Sequence, residues 1–336
     1  MAAVMPMDDG PDAGVPWHYG DPLGEQRLLT AGAGVVELAH RDTIELVGVE
    51  RLALLDALTS QAVRDLVPGE SAHDLLLDPH GRIDAELHVV ALDDRVLVST
   101  GPGHGARVAA FLNGRKFLMQ VEVRDVTQDW APVWEPVREP HAQYPTVLTP
   151  EAFSGLTMPD VGADVSRYRA ARAEAFAGRE VLVPRSALAA YLDGVPLAGT
   201  WAWNALRIAA GVPRHGVETD DKNIPHELGW LGSAVHMRKG CYTGQETVAR
   251  THNMGKPPRR LVLLHLDGSR DHLPAHGTDV QIEGRRVGFV GMAVHHHELG
   301  PIASAVIKRS TATDAVLDVD GMRASQEIIV NGDATA

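Results

Sequence analysis

The sequence predicts an α+β protein built from three consecutive units, and three patterns along the chain support this fold class. Strand-like runs flank a turn signal in "AHDLLLDPHGRIDAELHVVAL" (72–92), which is typical of a β-hairpin. Apolar residues recur at helical spacing in "VERLALLDALTSQAV" (49–63). After residue 258, glycine turns separate strand-like runs with no helical pattern between them. We therefore expect two α+β units with mainly antiparallel sheets, followed by a small β-barrel-like module.

The first unit is predicted over residues 27–126. Its strands are "GVVELA" (34–39), "TIELVG" (43–48), the two arms of the hairpin, "RVLVST" (95–100) and "MQVEVRDV" (119–126), with a short helix in "HGARVAAFLN" (104–113). The residues before it, 1–26, are rich in Pro, Gly and Asp. This composition predicts a flexible acidic N-terminal segment.

The second unit is predicted over 127–252 and the third over 253–330. The second opens on a proline-rich stretch with one short strand, then continues with the strand "REVLVP" (179–184) and the helices "RSALAAYLD" (185–193) and "GTWAWNALRIAAG" (199–211). Gly211 is a natural C-terminal stop for the last helix. The linker "NMGKPPRR" (253–260) leads into the third unit, which is predicted to be all-β.

Composition narrows the classes of partner. The formal net charge of -13 argues against direct nucleic-acid binding, because phosphate backbones are bound mainly by Lys and Arg. A single cysteine excludes an internal disulfide and favours a reducing compartment. No stretch approaches the ~18 apolar residues of a membrane span, and the acidic start is unlike a secretory signal. We expect a soluble, cytoplasmic protein that binds small molecules or other proteins.

The only cysteine, Cys241, lies in "RKGCYTGQETVAR" (238–250). Thr243 and Glu246 have the spacing of a capping box, which places Cys241 just before a helix N-terminus. Such a position favours a thiolate, and Lys239 adds a nearby cation. Gly240 and Gly244 allow close approach of the backbone to a ligand. A lone cysteine is otherwise a small buried apolar residue, and the spacing alone leaves both interpretations open.

This motif resembles the signature of the YgfZ-type proteins, folate-binding relatives of the glycine-cleavage T-protein (aminomethyltransferase). The similarity extends from "HYGDPLGEQRLL" through "LLLDPHGRIDAEL" and "WNALRIAAGVPRHG" to the β module. It implies three domains in a ring around a central folate channel, and a role in assembly or repair of iron–sulfur clusters that indirectly affects tRNA modification. The implied partners are a tetrahydrofolate derivative and iron–sulfur client or assembly proteins.

The resemblance also implies site residues. Cys241 and Lys239 would carry activity, and no metal ligands are implied. The residues expected to bind folate are Trp203, Tyr242, Gly240, Gly244, Gln245, Glu246 and Arg250. Trp203 is equally compatible with a core tryptophan on a helix.

Two departures from the T-protein pattern bear on the reaction. The T-protein has adjacent aspartates near the reactive folate nitrogen, whereas "GRIDAEL" has Asp84 and Glu86 with one residue between them. Ala209 stands where many relatives have a glutamate that holds the pterin ring. The main alternative to the accessory role is a folate-dependent aminomethyl or methyl transferase. A pure folate-binding module without chemistry is a third possibility.

Two further motifs resemble binding sites for a dinucleotide and for a metal. Gly101, Gly103 and Ala106 fit Gly-x-Gly-x-x-Ala after a strand, but the antiparallel context and Pro102 argue for a glycine-rich turn rather than a dinucleotide site. "HHHE" (295–298) contains metal-ligand residue types. On a strand only His295 and His297 share a face, so a solvated strand end is expected there.

Overall fold

Two β-sheets that pack against each other and a closed β-barrel form the framework, and they confirm the predicted α+β class. The computed structural model of the chain describes residues 5–6, 9–149, 173–254 and 257–330. Parts of the predicted N-terminal segment (1–4 and 7–8), second unit (150–172) and linker (255–256) lie outside the described residues.

The elements up to residue 126 follow the predicted alternation of strands and short helices. They are β1 (Met5–Pro6), β2 (Pro16–His18), α1 (Pro22–Thr30), β3 (Val35–Glu37), β4 (Asp42–Val47), α2 (Arg51–Leu58), β5 (Ser71–Leu77), β6 (Ile83–Ala91), β7 (Arg95–Thr100), α3 (Gly105–Asn113) and β8 (Glu122–Asp125).

The described part of the chain after residue 126 adds most of a second sheet, three further helices and the barrel. Its elements are β9 (Trp130–Glu135), β10 (Thr146–Leu148), β11 (Arg179–Pro184), α4 (Arg185–Leu192), β12 (Leu197–Ala198), α5 (Thr200–Ala209), α6 (Gln245–Met254), β13 (Arg259–Leu266), β14 (Asp279–Ile282), β15 (Arg285–His296), β16 (Gly300–Lys308), β17 (Leu317–Val319) and β18 (Met322–Ile328). Short 3₁₀ turns lie at Ala173–Phe176, Pro225–Glu227 and Trp230–Gly232.

The first sheet has the strand order β5-β6-β7-β4-β8 and contains the predicted hairpin. Strand β6 alternates between two environments, as the period of two requires. Ala85, Leu87 and Val89 face the apolar core beneath α2 and α3. Glu86 and His88 lie on the opposite face, which is turned toward the second sheet, where His88 contacts strand β11. The first sheet therefore has one apolar face and one face with ionisable groups.

The second sheet has the order β10-β11-β9-β3-β12, so it includes a strand that the sequence assigned to the first unit. Val35 and Val36 pair in parallel with β12, and Glu37 pairs antiparallel with Val133. Helix α1 packs against α5 rather than against the first sheet. The boundary expected at 126/127 therefore does not separate the two sheets, because β3 of the second sheet precedes every strand of the first sheet in the chain.

The segment predicted to be flexible and acidic contains residues that are buried in the fold, Asp12 and Val15 among them. Asp12 is fully buried, where its carboxylate contacts Arg214 at 2.9 Å and His40 at 3.1 Å and accepts a hydrogen bond from Asn204 at 2.7 Å. Sequence composition could not predict this, because the cations that neutralise Asp12 come from remote parts of the chain.

The barrel closes in the order β13-β16-β15-β14-β17-β18, as the all-β prediction for the third unit requires. Its outer face and α5 share an apolar cluster that includes Ile208, Leu261 and Val306. Helix α5 ends as predicted, with Gly211 at φ +73 and its N–H donating to Ile208. Helix α5 is thus the element on which the second sheet and the barrel both pack. Within the described residues, every helix is too short or too polar to cross a lipid bilayer.

Replacing Asp12 with Asn should lower the free energy of unfolding by about 3 kcal/mol, because it leaves the Arg214 guanidinium without its counter-charge in the interior. Burial raises the pKa of Asp12, but Arg214 and His40 outweigh burial and hold it below the ordinary value of 3.8. A carboxyl with a lower pKa in the folded state stabilises the fold above pH 3.8, and this stabilisation is lost as the pH falls.

Urea unfolding at neutral and acidic pH measures both effects. Asp9→Asn removes the same charge from an exposed position in the same segment and should change stability by less than about 0.5 kcal/mol. The structural role of Asp12 would be contradicted if both variants lost the same free energy of unfolding. It would also be contradicted if acid lowered the stability of Asp12→Asn as much as that of the wild-type protein.

Candidate functional site

A cavity lies between the inner faces of the two sheets and the end of α5. Strands β5 and β6 form one wall and β9 and β11 the opposite wall. The lining side chains are Arg41, His73, Glu86, His88, Trp134, Thr149, Phe176, Glu180, Trp203, Arg207, Val212, Pro213, Arg214 and Trp230.

Two histidines and a glutamate form a cluster on the first-sheet wall. His73 and His88 are direct cross-strand partners on β5 and β6, and Glu86 precedes His88 by two positions on the same face. Glu86 Oε1 lies 3.2 Å from His73 Nε2 and 3.4 Å from His88 Nε2. Each of the three side chains offers one ligand atom, and these atoms all lie within 4.8 Å of one another.

Residues from three other elements hold this cluster in place. His88 Nδ1 lies 3.0 Å from Glu180 Oε2 on β11, and His73 Nδ1 lies 2.9 Å from Ser233 Oγ. The backbone N–H of His215 donates to Glu86 Oε2 at 3.0 Å. Both imidazoles and the carboxylate are therefore oriented by groups outside the cavity wall on which they lie.

The charges of the cluster are coupled across the two sheets. Burial and Arg41 lower the pKa of His88, but Glu180 and Glu86 outweigh them and raise it to about 9. Burial raises the pKa of Glu180, whereas Arg41 and His88 lower it to about 2. Burial lowers the pKa of His73, only partly opposed by Glu86. In the free protein, Glu86 and Glu180 are thus carboxylates faced by Arg41 and a protonated His88.

An aromatic and cationic wall faces this cluster. Trp134 stacks on Phe176 with ring centroids 4.9 Å apart, and Phe176 meets Trp203 edge-on at 5.6 Å. The guanidinium carbon of Arg214 lies 5.0 Å from the Trp203 ring centroid, and that of Arg207 lies 5.9 Å from it. The cavity thus combines flat apolar surfaces with charges of both signs.

Several buried polar atoms of the cavity walls have no hydrogen-bond partner among the described residues. They are Trp134 Nε1, Trp203 Nε1, Glu180 Oε1 and His73 Nε2. An unsatisfied buried donor or acceptor costs about 1–3 kcal/mol, so four of them around one cavity indicate a site for a polar ligand.

Cys241 is exposed and lies outside the cavity lining. The expected capping box is absent, because α6 begins at Gln245 and Gly244 therefore occupies the N-cap position in place of Thr243. The Glu246 carboxylate instead accepts a hydrogen bond from Arg250 at 2.8 Å, on the exposed surface. The expectation that Cys241 is a buried apolar residue is excluded by its exposure, while its reactivity stays a prediction.

The ammonium of Lys239 is buried against the end of α2 rather than free beside the thiol. Its Nζ donates to the carbonyl oxygens of Asp56 at 2.6 Å, Thr59 at 2.9 Å and Gln61 at 2.5 Å. Burial lowers the pKa of Lys239, and Asp74 and Asp56 partly oppose this. The side chain thus ties the cysteine loop to the first unit, and its predicted part in catalysis stays a prediction.

Gly244 brings the loop against the turn of the β5–β6 hairpin. It has φ +83, and a Cβ there would lie 2.6 Å from the Asp78 carbonyl oxygen and 2.8 Å from Gly81 Cα. Gly240, by contrast, faces open space. The structural requirement for glycine in this motif is therefore contact with the hairpin at Gly244.

The other residues expected to bind folate are divided between core and surface. Trp203 lies on the cavity wall, and its part in folate binding stays a prediction. Tyr242 is buried in the apolar cluster beneath the barrel, with no hydrogen-bond partner for its hydroxyl among the described residues. Gln245 donates to the Lys239 carbonyl at 3.4 Å, and Glu246 and Arg250 form an exposed pair. Apart from Trp203, these residues support the loop or lie at its surface.

The sequence motifs did not indicate His73 and His88 as site residues. Their pairing depends on a β-bulge between Leu76 and Leu77, which shifts the register set by the turn at 79–81 by one residue, so the turn signal alone does not predict that the two imidazoles face each other. Of the two acidic residues in "GRIDAEL", Glu86 reaches the cavity, whereas Asp84 forms an ion pair with Arg107 at 2.5 Å outside it.

The two competing motifs have structural explanations. Gly105, the first residue of α3, donates its N–H to Asp42 Oδ2 at 2.7 Å, so a carboxylate already occupies the position a phosphate would take. At the end of β15, His296 is buried and its Nδ1 accepts hydrogen bonds from the N–H groups of Glu298 and Leu299. Its ring lies 4.7 Å from that of His297. This stretch is a capped strand end.

Fold and site together define an α+β protein with a terminal barrel and, between two sheets, a cavity with aromatic and charged walls. Residues 15–186, just over half of the chain, match the model of the GCVT N-terminal domain family. The chain belongs to this family.

Two curated relatives and one solved structure extend the similarity along the chain. The chain is 28% identical over 335 residues to an aminomethyltransferase of Geobacillus kaustophilus, covering 94% of this chain and 91% of the relative. It is 24% identical over 288 residues to a putative chloroplastic transferase of Arabidopsis thaliana, covering 76% of this chain and 61% of the relative. The aminomethyltransferase T structure of the glycine cleavage system from Bartonella henselae has a TM-score of 0.74 at 19% identity, covering 97% and 93% of the two chains. That last likeness supports the fold.

Gly244→Ala should destabilise the protein by about 2 kcal/mol, because it combines a left-handed backbone with a Cβ that meets the hairpin backbone. Gly240→Ala is the matched control in the same loop, with open space around its Cβ and an expected change below about 0.5 kcal/mol. Thermal and urea unfolding measure the difference. Similar stability of the two variants would mean that the loop does not need its contact with the hairpin.

Proposed function

We propose that the chain is a cytoplasmic, tetrahydrofolate-binding protein of YgfZ type that assists assembly or repair of iron–sulfur clusters. Folate would occupy the central cavity, and Cys241 would act from the exposed loop. An effect on tRNA modification would follow indirectly, through iron–sulfur enzymes. Membership of the GCVT family and the aminomethyltransferase relatives support the folate part of this proposal.

The unpartnered polar atoms around the cavity are the observation that carries folate binding. A pterin ring is flat and polar at its edge, so it can use indole faces together with hydrogen-bonding groups in the same plane. Trp203 and Trp134 offer both a face and an unpartnered N–H, and Glu180 offers a free acceptor. Arg207 and Arg214 add positive charge on the same wall for the anionic end of a folate.

Trp203→Phe should weaken tetrahydrofolate binding at least tenfold, because it removes an indole face and its N–H from the cavity. Trp201→Phe is the control on the same helix, since the Trp201 ring stacks on Trp17 at 5.4 Å and lies outside the cavity lining. Titration calorimetry with tetrahydrofolate under anaerobic conditions gives both affinities. Wild-type protein without saturable binding, or equal affinities for the two variants, would exclude the cavity as a folate site.

The accessory role depends on the thiol facing outward. Cys241 is exposed while the loop that carries it is held firmly by Lys239 and Gly244. A sulfur on a fixed outer loop is suited to contact with a protein partner, and one cysteine cannot ligate a cluster of the four-thiolate type by itself. This arrangement favours thiol chemistry with a client over chemistry inside the cavity.

Cys241→Ser should abolish support of an iron–sulfur enzyme in cells that lack the wild-type protein, because it removes the nucleophilic sulfur while keeping the size of the side chain. Its affinity for tetrahydrofolate should stay within twofold of wild type. Arg238→Ala, an exposed change in the same loop, is the control and should retain activity. Full complementation by Cys241→Ser would overturn the accessory role and leave folate binding intact.

One observation favours the transferase as a second candidate. The Glu86 carboxylate lies on the cavity wall beside His73 and His88, so an ionised group is available where folate would bind. Turnover of tetrahydrofolate with a methylamine donor by the purified protein, lost in Glu86→Gln, would establish this function in place of the first.

A further inference from the structure

We infer that His73, Glu86 and His88 form a binding site for a divalent transition-metal ion on the first-sheet wall of the cavity. Two imidazoles and one carboxylate are the protein ligands of many zinc and non-haem iron sites that keep coordination positions open. The inference is independent of folate binding, because it rests on these three side chains and their supports.

The spacing of the ligand atoms suits such an ion. Ligands about 2.0–2.2 Å from a tetrahedral metal are roughly 3.3 Å from one another. Glu86 Oε1 lies 3.2 Å from His73 Nε2 and 3.4 Å from His88 Nε2. The three ligand atoms all lie within 4.8 Å of one another, so the side chains would draw closer as a metal replaces these contacts by coordination bonds.

The second nitrogen of each imidazole is held as in known metal sites, where the non-ligating ring nitrogen contacts a carboxylate or another oxygen. His88 Nδ1 lies 3.0 Å from Glu180 Oε2, and His73 Nδ1 lies 2.9 Å from Ser233 Oγ. Because these two contacts are made by the Nδ1 atoms, Nε2 is the atom of each ring that faces Glu86. The orientation of two rings from separate strands toward one carboxylate oxygen is the feature that a metal explains.

An independent observation points to a missing partner. His73 Nε2 is buried, with 4% of its side chain exposed, and it makes no hydrogen bond of acceptable geometry with the described residues despite its closeness to Glu86. In the tautomer whose proton lies on Nδ1, facing Ser233 Oγ, the Nε2 lone pair points toward Glu86 and can bind a metal. The cavity beside the cluster leaves room for water or a substrate oxygen as a further ligand.

Charge is consistent with a bound cation. Glu86 and Glu180 place two carboxylates within this part of the cavity, and the Arg41 guanidinium lies 3.6 Å from Glu180. With His88 neutral and coordinating, a divalent ion more than offsets the remaining negative charge. The local excess of positive charge would favour an anionic ligand, such as hydroxide or a carboxylate, at the open position.

Equilibrium dialysis and visible absorption with Co²⁺, followed by competition with Zn²⁺, test the site in the full-length protein. We expect one tightly bound ion per chain, and binding weakened at least a hundredfold in His73→Gln and in His88→Gln. Glu180→Gln, which keeps the side-chain size but removes the negative charge that faces His88 and Arg41, should weaken binding roughly 10–100-fold. His80→Gln is the control, since His80 is exposed at the turn of the same hairpin.

The histidines at 295–297 are a second place where added metal could bind. The double variant His295→Gln/His297→Gln is therefore measured as a control, and it should retain the tightly bound ion. Loss of the ion in that double variant, retention in His73→Gln, or no stoichiometric binding to wild type would each overturn the inference. Anomalous diffraction from wild-type crystals soaked in Co²⁺ needs no variant. A peak between His73 and His88 supports the site, and a peak only elsewhere refutes it.

Discussion

A buried network of charges around α5 holds the parts of this protein together. Arg207, with no exposed surface, contacts Glu218 at 3.0 Å and donates to Asn204 at 2.8 Å. Glu218 in turn accepts a hydrogen bond from Ser304 on the barrel at 2.6 Å, and Asn204 donates to Asp12 in the N-terminal segment. Removing one member of such a network leaves an uncompensated charge in the interior, so its members are fixed together.

The same network shapes the cavity. Arg207 and Arg214 are held on their far sides by Glu218 and Asp12, so their guanidinium groups cannot turn away from the wall that also carries Trp203. A rigid cationic and aromatic wall on α5 then faces a wall of histidine and carboxylate on the first sheet. A ligand would meet groups whose positions are set before it binds, which reduces the ordering cost of binding.

Local patterns predicted most of the strands and helices, because each depends on nearby residues. The hairpin at 72–92 and the stop of α5 at Gly211 followed from alternation and from a positive φ that favours glycine. The pairing of charged side chains that are remote in sequence could not be predicted in this way. Asp12 looked solvent-exposed because its partners Arg214 and His40 are remote in sequence, and Lys239 looked free because its acceptors are carbonyls at the end of α2.

The candidate site shows the same division. Trp203 could be placed from a motif, and the strand alternation put Glu86 on the face opposite Leu87. The approach of Glu180 to His88 depends on how two sheets stack, and no local pattern encodes that distance. The sequence therefore indicated one residue of each wall, Glu86 and Trp203, whereas the other wall residues and their meeting depend on how the sheets pair and stack.

The cysteine loop and the cavity are separate places joined by one short element. The hairpin that carries His73, Glu86 and His88 on its strands presents its turn to Gly244, through a backbone contact that excludes any side chain. The stretch before the loop is bonded to the same unit, with Ser60 donating to the Ala234 carbonyl and His236 donating its N–H to the Ser60 carbonyl. The loop that carries the exposed thiol and the hairpin that carries the ionisable cavity wall are therefore in direct backbone contact, although the sulfur itself lies outside the cavity lining.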